Sequence, residues 1–364
     1  MLISQKSKEI IDSCRFCWMC RHICPIGNVT GQERNTARAR MLALSLVERE
    51  AEPLSGVADN IYECSLCGAC TKECVTGWDP VMAVKEVRSE LIMNGETPDY
   101  IMKLVENIQK YGNVYGDSKI DSALKKEIES LPKNADTLLF IGRDAMYKSP
   151  ESAVNAIKLL KRIGIDFTVL SKEPDSGYAM EFLIGKTAET KEIMENCAKV
   201  LTFKKVICYD PSDAKIFLRE YKEWGIKLSC EVVTFTKFIA ELIKIGAIKI
   251  KKTNKYFTLQ DSAILARDLD ETEPVREIIA SCGENREMLC FGKDTILAGN
   301  LIMNEYMPEV MKEVAEARWI NAKNMNAQIL VTENPAEYEM LKSVKPKDTE
   351  LKTIEEVVSE CLQA

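Results

Sequence analysis

Eight cysteines crowd into the first 74 residues, in two runs of one spacing. Cys14-Arg-Phe-Cys17-Trp-Met-Cys20-Arg-His-Ile-Cys24-Pro25 reads C-x2-C-x2-C-x3-C-P, and Cys64-Ser-Leu-Cys67-Gly-Ala-Cys70-Thr-Lys-Glu-Cys74 repeats it with Val75 in place of the proline. Three thiolates at this spacing wrap one iron–sulfur cubane when the backbone curls around it, while the fourth leaves in another direction and reaches the other cluster. The spacing therefore predicts two [4Fe–4S] clusters. Cys14, Cys17, Cys20 and Cys74 hold one; Cys64, Cys67, Cys70 and Cys24 hold the other. Pro25 suits the fourth position because it turns the chain and removes a donor. Structural zinc would show as separated C-x2-C pairs rather than two complete four-cysteine runs.

Side chains near the first run have two readings each. Arg15, Arg21, Arg38 and Arg40 either place cations beside a reduced cluster, raising its potential, or form a solvated face. Trp18 and Trp78 either shield the clusters from water or belong to the core. His22 is the one histidine of the chain; it reads as a surface group, and its solitude argues against His-based nucleophilic catalysis and multi-His metal centres. Cys197, Cys208, Cys230, Cys282 and Cys361 read as buried, inert thiols.

These residues need a scaffold, and composition bounds its kind. The net charge of −7 and pI of about 5.3 argue against nucleic acid as the partner, since phosphate binding needs a basic face. No apolar run approaches the ~18 residues that span a bilayer, so direct membrane insertion is not expected. The opening MLISQKSKEIIDSC lacks the apolar core and cleavage signal of a secretory peptide. A cytoplasmic location follows, where reducing conditions favour metal over disulfide for packed cysteines.

Three textures divide the chain. Residues 1–95 carry the cysteine runs and otherwise read as helix, with periodic apolar positions in ARARMLALSLVERE and VMAVKEVRSELIMNG and a stop at Gly95. Residues 96–134 read as a helical connector. From 135 onward strands alternate with helices, the pattern of an α/β parallel sheet. TLLFI (137–141), DFTVL (166–170), KVICY (205–209) and VVTF read as strands. PESAVNAIKLLKRIG, residues 178–200, the stretch after Asp210-Pro211, and FIAELIKIG read as helices. The order then recurs: YFTLQ, EMLCF and QILVT as strands, with EPVREIIAS, 307–323 and the stretch after Asn334-Pro335 as helices. A strand–(Asp/Asn)-Pro–helix junction in each half suggests an internal duplication, 135–246 and 247–364.

With these elements in hand, the chain resembles a known family. Residues 61–92, IYECSLCGACTKECVTGWDPVMAVKEVRSELI, and Thr30 to Leu44, TGQERNTARARMLAL, are similar to a helical ferredoxin domain. That domain occurs in the iron–sulfur subunits of anaerobic glycerol-3-phosphate dehydrogenase and glycolate oxidase, and in heterodisulfide reductase-type proteins. LLFIGRDAMYKSPESAVNAIKLLKRIGIDFTVL and SAILARDLDETEPVREII look like the openings of that family's two CCG repeats. The resemblance implies an α-helical ferredoxin domain followed by an α/β domain of two related, degenerate CCG-type repeats. In heterodisulfide reductase relatives such repeats carry catalytic non-cubane clusters. Here their cysteines are largely replaced. The first repeat reads Arg143, Asp175-Ser176-Gly177 and Asp210-Pro211-Ser212-Asp213. The second reads Ala263, Cys290-Phe291-Gly292 and Asn334-Pro335-Ala336-Glu337. Only Cys290 survives, and one thiolate holds no cluster. Asp175, Asp210 and Asp213 offer oxygen ligands to a hard cation, against a reading as solvated loop carboxylates and helix N-caps.

The expected function is an electron-transfer subunit of an oxidoreductase complex. Electrons pass between a flavoprotein, or another iron–sulfur redox subunit, and an acceptor, while the degenerate repeats serve as a docking scaffold. The competing expectation is a catalytic heterodisulfide reductase-like subunit acting on a small substrate between the two repeats through Cys290 or the aspartates. No nucleophile–base pair and no G-x-G-x-x-G loop supports it.

Overall fold

A computed structural model describes residues 3–14 and 17–363. The N-terminal part is helical for local reasons. Ser4 caps helix Gln5–Ser13 by accepting from Ser7 N–H, Thr36 caps Ala37–Glu48, and Asp79 accepts from Val81 and Met82 N–H ahead of Pro80–Met93. Each cap satisfies donors that the first turn leaves open, worth ~1 kcal/mol. Ile10, Ile11, Met41, Leu44, Val87 and Leu91 form their shared buried face. Gly95 ends the last helix with φ 68°. Helices Asp99–Tyr111 and Ser122–Glu129 make the connector.

Two all-parallel sheets follow. β1 (Thr137–Phe140), β2 (Lys205–Cys208) and β3 (Glu231–Thr234) lie in the order β1-β2-β3. β4 (Tyr256–Gln260), β5 (Glu284–Asn285), β6 (Ile329–Thr332) and β7 (Glu350–Thr353) lie in the order β5-β4-β6-β7. The last strand and its helix, Ile354–Cys361, are additions to the elements expected from sequence; a capping box of Thr353 and Glu356 starts that helix.

Three expected elements differ. DFTVL is not a full strand: Thr168 makes a single parallel bridge to β1, with Leu139 N–H donating to its carbonyl and its own N–H to Thr137, both 2.9 Å. The chain then turns back, and the Glu173 carboxylate accepts from Ile141 and Gly142 N–H at 2.7 and 2.8 Å. EMLCF is not a strand either; β5 precedes it. Arg318 takes the carbonyls of Leu289 and Cys290, each at 3.0 Å, and Cys290 sits at φ 59°, so the segment curls. The helix through 178–200 is two helices, Tyr178–Ile184 and Ala188–Val200. Gly185 breaks it at φ 62°, where any Cβ would collide with Ser89 and the Lys85 carbonyl of the N-terminal helical part.

The cores run across the textures of the sequence. Ile10, Met41 and Val87 share one apolar cluster with Phe182, Leu183, Leu301 and Met303. A second cluster joins both sheets through Leu139, Ile207, Leu259 and Val331. Arg88 is fully buried at the first junction and donates to the carbonyls of Cys64 (2.6 Å), Ile61 (3.2 Å) and Phe182.

Candidate metal centres

Local backbone geometry aims the thiols. Cys14 is the C-cap of helix Gln5–Ser13, and Cys24 is the N-cap of Pro25–Thr30, with its Sγ 3.5 Å from Gly27 N–H and 3.3 Å from the Asn35 carbonyl. In the second run Leu66 and Gly68 adopt φ 53° and 74°. These left-handed steps curl the loop between Cys64 and Cys70; glycine takes such a φ without penalty.

The thiols fall into two electrostatic neighbourhoods. Burial pushes the Cys14 thiol up to about 11, with Cys20, Cys74 and Cys17 adding to the shift and Arg38 opposing it. Burial likewise pushes Cys24 up to about 11, with Cys67 and Cys64 adding to the shift and Arg40 and Gly27 N–H opposing it. Cys70 is raised well above its ordinary value by burial, then by Cys64, Cys67 and Cys24, and least by Cys20 of the other neighbourhood. Each neighbourhood thus joins three cysteines of one run to the fourth of the other. Among the described residues no three His, Cys, Asp or Glu close on one point at metal-ligating geometry.

The donor set fits a cationic sulfur-bridged cluster. Thiols held protonated by burial become thiolates when a metal supplies compensating charge. A buried donor also waits nearby: Arg40 donates to the Asn60 (2.8 Å) and Asn35 (2.6 Å) carbonyls, but its Nη2 has no partner. Arg40 and Cys24, Cys64, Cys67 and Cys70 line one small cavity.

The two neighbourhoods differ in exposure. Cys17, Trp18, Met19 and Val75 are exposed, Val75 at 70%. Arg38 and Arg21 stack on Trp18 at 4.5 and 5.2 Å, so Trp18 is a surface ring under arginines rather than core. Trp78 packs half-buried against the main core. His22 is exposed, as expected. Arg15 lies outside the described residues. The Arg38 backbone N–H faces the Cys20 thiol and opposes the upward shift that burial gives it.

Two cations that sequence reasoning passed over support the second run. Arg88 holds the Cys64 carbonyl, and Arg267 Nε donates to the Cys67 carbonyl at 2.7 Å. No local signal marks either, because their partners are distant in the chain.

Arg143, Asp175, Ser176, Asp210 and Asp213, around the ends of β1 and β2, line one small cavity. Asp210 caps helix Pro211–Lys215 by accepting from Ser212 N–H at 2.8 Å, and Asp175 accepts from Gly177 N–H at 2.8 Å. These are loop and cap roles, the alternative to holding a hard cation, but Asp210 and Asp213 are buried rather than solvated, because they lie under the packed ends of β1 and β2. Burial pushes Asp210 up to about 8, with Asp144 adding to it, and Glu173 up to about 7 against the pull of Arg143.

Next to the β4 sheet, Asp261 accepts from Gly292 N–H at 2.7 Å and pairs with Arg276. Arg318 reaches Gln260 at 2.5 Å, and Gln260 donates to Glu337 at 2.8 Å. Cys290 is half-buried in this network. Cys197, Cys208, Cys282 and Cys361 are buried as expected; Cys230 is only half-buried because it lies in the loop before β3.

Residues 10–78 match the family model of the 4Fe-4S dicluster domain. The chain is 24% identical over 361 residues to a subunit of the dihydromethanophenazine:CoB–CoM heterodisulfide reductase of Methanosarcina acetivorans, covering 89% of this chain and 87% of that one. It is 23% identical over 276 residues to a subunit of the fumarate reductase (CoM/CoB) of Methanothermobacter marburgensis, covering 74% and 54%. A hypothetical protein from Helicobacter pylori shares the fold with a TM-score of 0.58 at 12% identity, covering 99% of this chain and 73% of that one. The chain is thus an iron–sulfur protein of the 4Fe–4S type, similar to subunits of a heterodisulfide reductase and a fumarate reductase. No helix among the described residues is long and apolar enough to cross a membrane.

Proposed function

We propose that this iron–sulfur chain is an electron-transfer subunit that relays electrons through two [4Fe–4S] clusters between a flavoprotein, or another iron–sulfur subunit, and an acceptor. Cys14, Cys17, Cys20 and Cys74 hold one cluster, and Cys24, Cys64, Cys67 and Cys70 hold the other. The observation that carries this reading is the pairing of thiol neighbourhoods, three from one run with the fourth from the other. Each cluster, when bound, takes up and releases one electron. The protein residues hold it, exclude water and set its charge environment. Arg40, Arg88 and Arg267 bring positive charge to the second neighbourhood, which favours an added electron. The exposed face of Cys17, Trp18, Met19 and Val75 offers the first neighbourhood to a partner's redox group.

On this reading residues 1–95 are the ferredoxin domain, 96–134 the connector, and 135–246 and 247–364 two related repeats that have lost their own clusters. Hydrogen bonds and caps hold several of the positions of the family's lost thiolates: Arg143 donates to the Glu173 carbonyl, Asp210 accepts from Ser212 N–H, and Glu337 accepts from Gln260. The repeats serve as a rigid body for partner docking. Chemical analysis of anaerobically prepared protein tests the proposal. It predicts about eight irons and eight sulfides per chain; zinc, or about four further irons, would contradict it.

A further inference from the structure

An open cleft of about 600 Å³ lies where the helical domain meets both α/β repeats. Gly68 and Thr71 of the second cysteine run form part of its wall. The cleft is lined by eight Lys and Arg against six Asp and Glu, in a chain whose overall charge is negative. The pairing matters more than the count. Glu181 and Glu220 bind Lys85, Asp268 binds Arg219 at 2.6 Å and Lys215 at 3.8 Å, and Glu223 reaches Arg219 at 3.4 Å. Asp79 caps its helix and Glu86 accepts from Ser4. Every carboxylate of the wall is therefore engaged.

Three cations are not neutralised. Lys6 and Lys186 have no carboxylate partner among the described residues, and Lys186 lies over the Trp224 ring at 5.4 Å. Arg267 bonds only to backbone carbonyls, those of Cys67, Lys293 and Thr295, and its Nη2 is buried without a partner. One acceptor is also open: Glu181 is 3% exposed, and its Oε2 has no hydrogen-bond partner. Uncompensated cations in a partly enclosed site attract anions, and a buried carboxylate oxygen without a donor costs free energy until one arrives.

We propose that this cleft binds a small organic polyanion bearing a hydroxyl group. Lys6, Lys186 and Arg267 neutralise its acidic groups, and Glu181 accepts from its hydroxyl. Bound beside the second cysteine run, such a ligand adds negative charge near the enclosed cluster and lowers its midpoint potential, because reduction then adds an electron to a more negative site. The inference reaches beyond the carrier reading, since binding requires no reaction in the cleft.

Isothermal titration of the reconstituted full-length chain with citrate, at fixed ionic strength, tests the site. Tricarballylate, the same tricarboxylate without the hydroxyl, is the second probe. Citrate binds saturably and more tightly than tricarballylate. Lys186→Glu, at an exposed position that the fold does not depend on, weakens citrate about tenfold or more, the loss of one charge-assisted contact. Lys244→Glu, on a helix outside the cleft, leaves citrate binding unchanged. An anaerobic redox titration with citrate lowers the potential of one cluster. No saturable citrate binding, or binding unmoved by Lys186→Glu, overturns the site; equal affinity for the two probes overturns the role of Glu181. Iron content measured on the same samples separates this outcome from failure of the cluster assignment.

Discussion

Arg267 Nε donates to the carbonyl of Cys67 at 2.7 Å, across 200 residues of chain. The same guanidinium holds the carbonyls of Lys293 and Thr295. One side chain thus ties the second cysteine loop to the segment around Lys293 and Thr295, so the geometry of that loop depends on the C-terminal α/β part of the chain.

Replacing Arg267 with methionine, which keeps much of the stem, should loosen that tie. The expected cost is about 1.5–3 kcal/mol, the range for charged hydrogen bonds. Hydrogen exchange should accelerate around residues 64–72, and one cluster potential should fall with the loss of a nearby cation. A denaturant titration and a redox titration read these out. Unchanged exchange in the loop would mean that the contact carries no structural load.

The crossed thiol neighbourhoods make a selective prediction. Cys24→Ser should impair the cluster proposed for Cys64, Cys67 and Cys70, and Cys74→Ser the one proposed for Cys14, Cys17 and Cys20. Electron paramagnetic resonance of the reduced variants distinguishes the two signals. Each run closing its own cluster would show as the opposite pattern.

Cys290 tests the scaffold role of the repeats. Its backbone carbonyl is held by Arg318, a contact that does not need the thiol. Cys290→Ala should leave iron content and electron transfer within about twofold of the parent, as expected away from a reacting group. Abolished activity in the intact complex would favour a catalytic role for the second repeat.

Buried carboxylates beside β1 and β2 should give stability an unusual pH slope. Burial raises Asp210 to about 8 and Glu173 to about 7, above their unfolded values. Between the unfolded and folded values the native state binds more protons than the unfolded chain. Stability therefore falls as pH rises from about 4 towards 8 and levels beyond. Asp210→Asn keeps the helix cap, since asparagine caps as well as aspartate, and should flatten the dependence of stability on pH between about 4 and 8. Thermal melting at stepped pH measures it; an unchanged slope would place the dependence elsewhere.

The sequence by itself determined the cysteine runs, most helices and most strands. Those features are local: C-x2-C-x2-C-x3-C spacing, apolar periodicity, Asp79-Pro80 and Asn334-Pro335 at helix starts. It misplaced DFTVL and EMLCF, because an apolar run becomes a strand only if neighbours take its backbone groups. Arg318 took the carbonyls of Leu289 and Cys290 in the second segment, and in the first only Thr168 found a strand partner, on β1. Tertiary structure alone decided what surrounds the ligands. Arg88 and Arg267 reach the second run from distant elements, Gly185 permits close approach to Ser89, and the apolar cluster of Ile10 and Val87 continues into Phe182 and Met303. The cleft beside Gly68 exists only where three separate stretches of chain meet. Such contacts depend on how faces pack, and no residue's near neighbours in sequence carry that information.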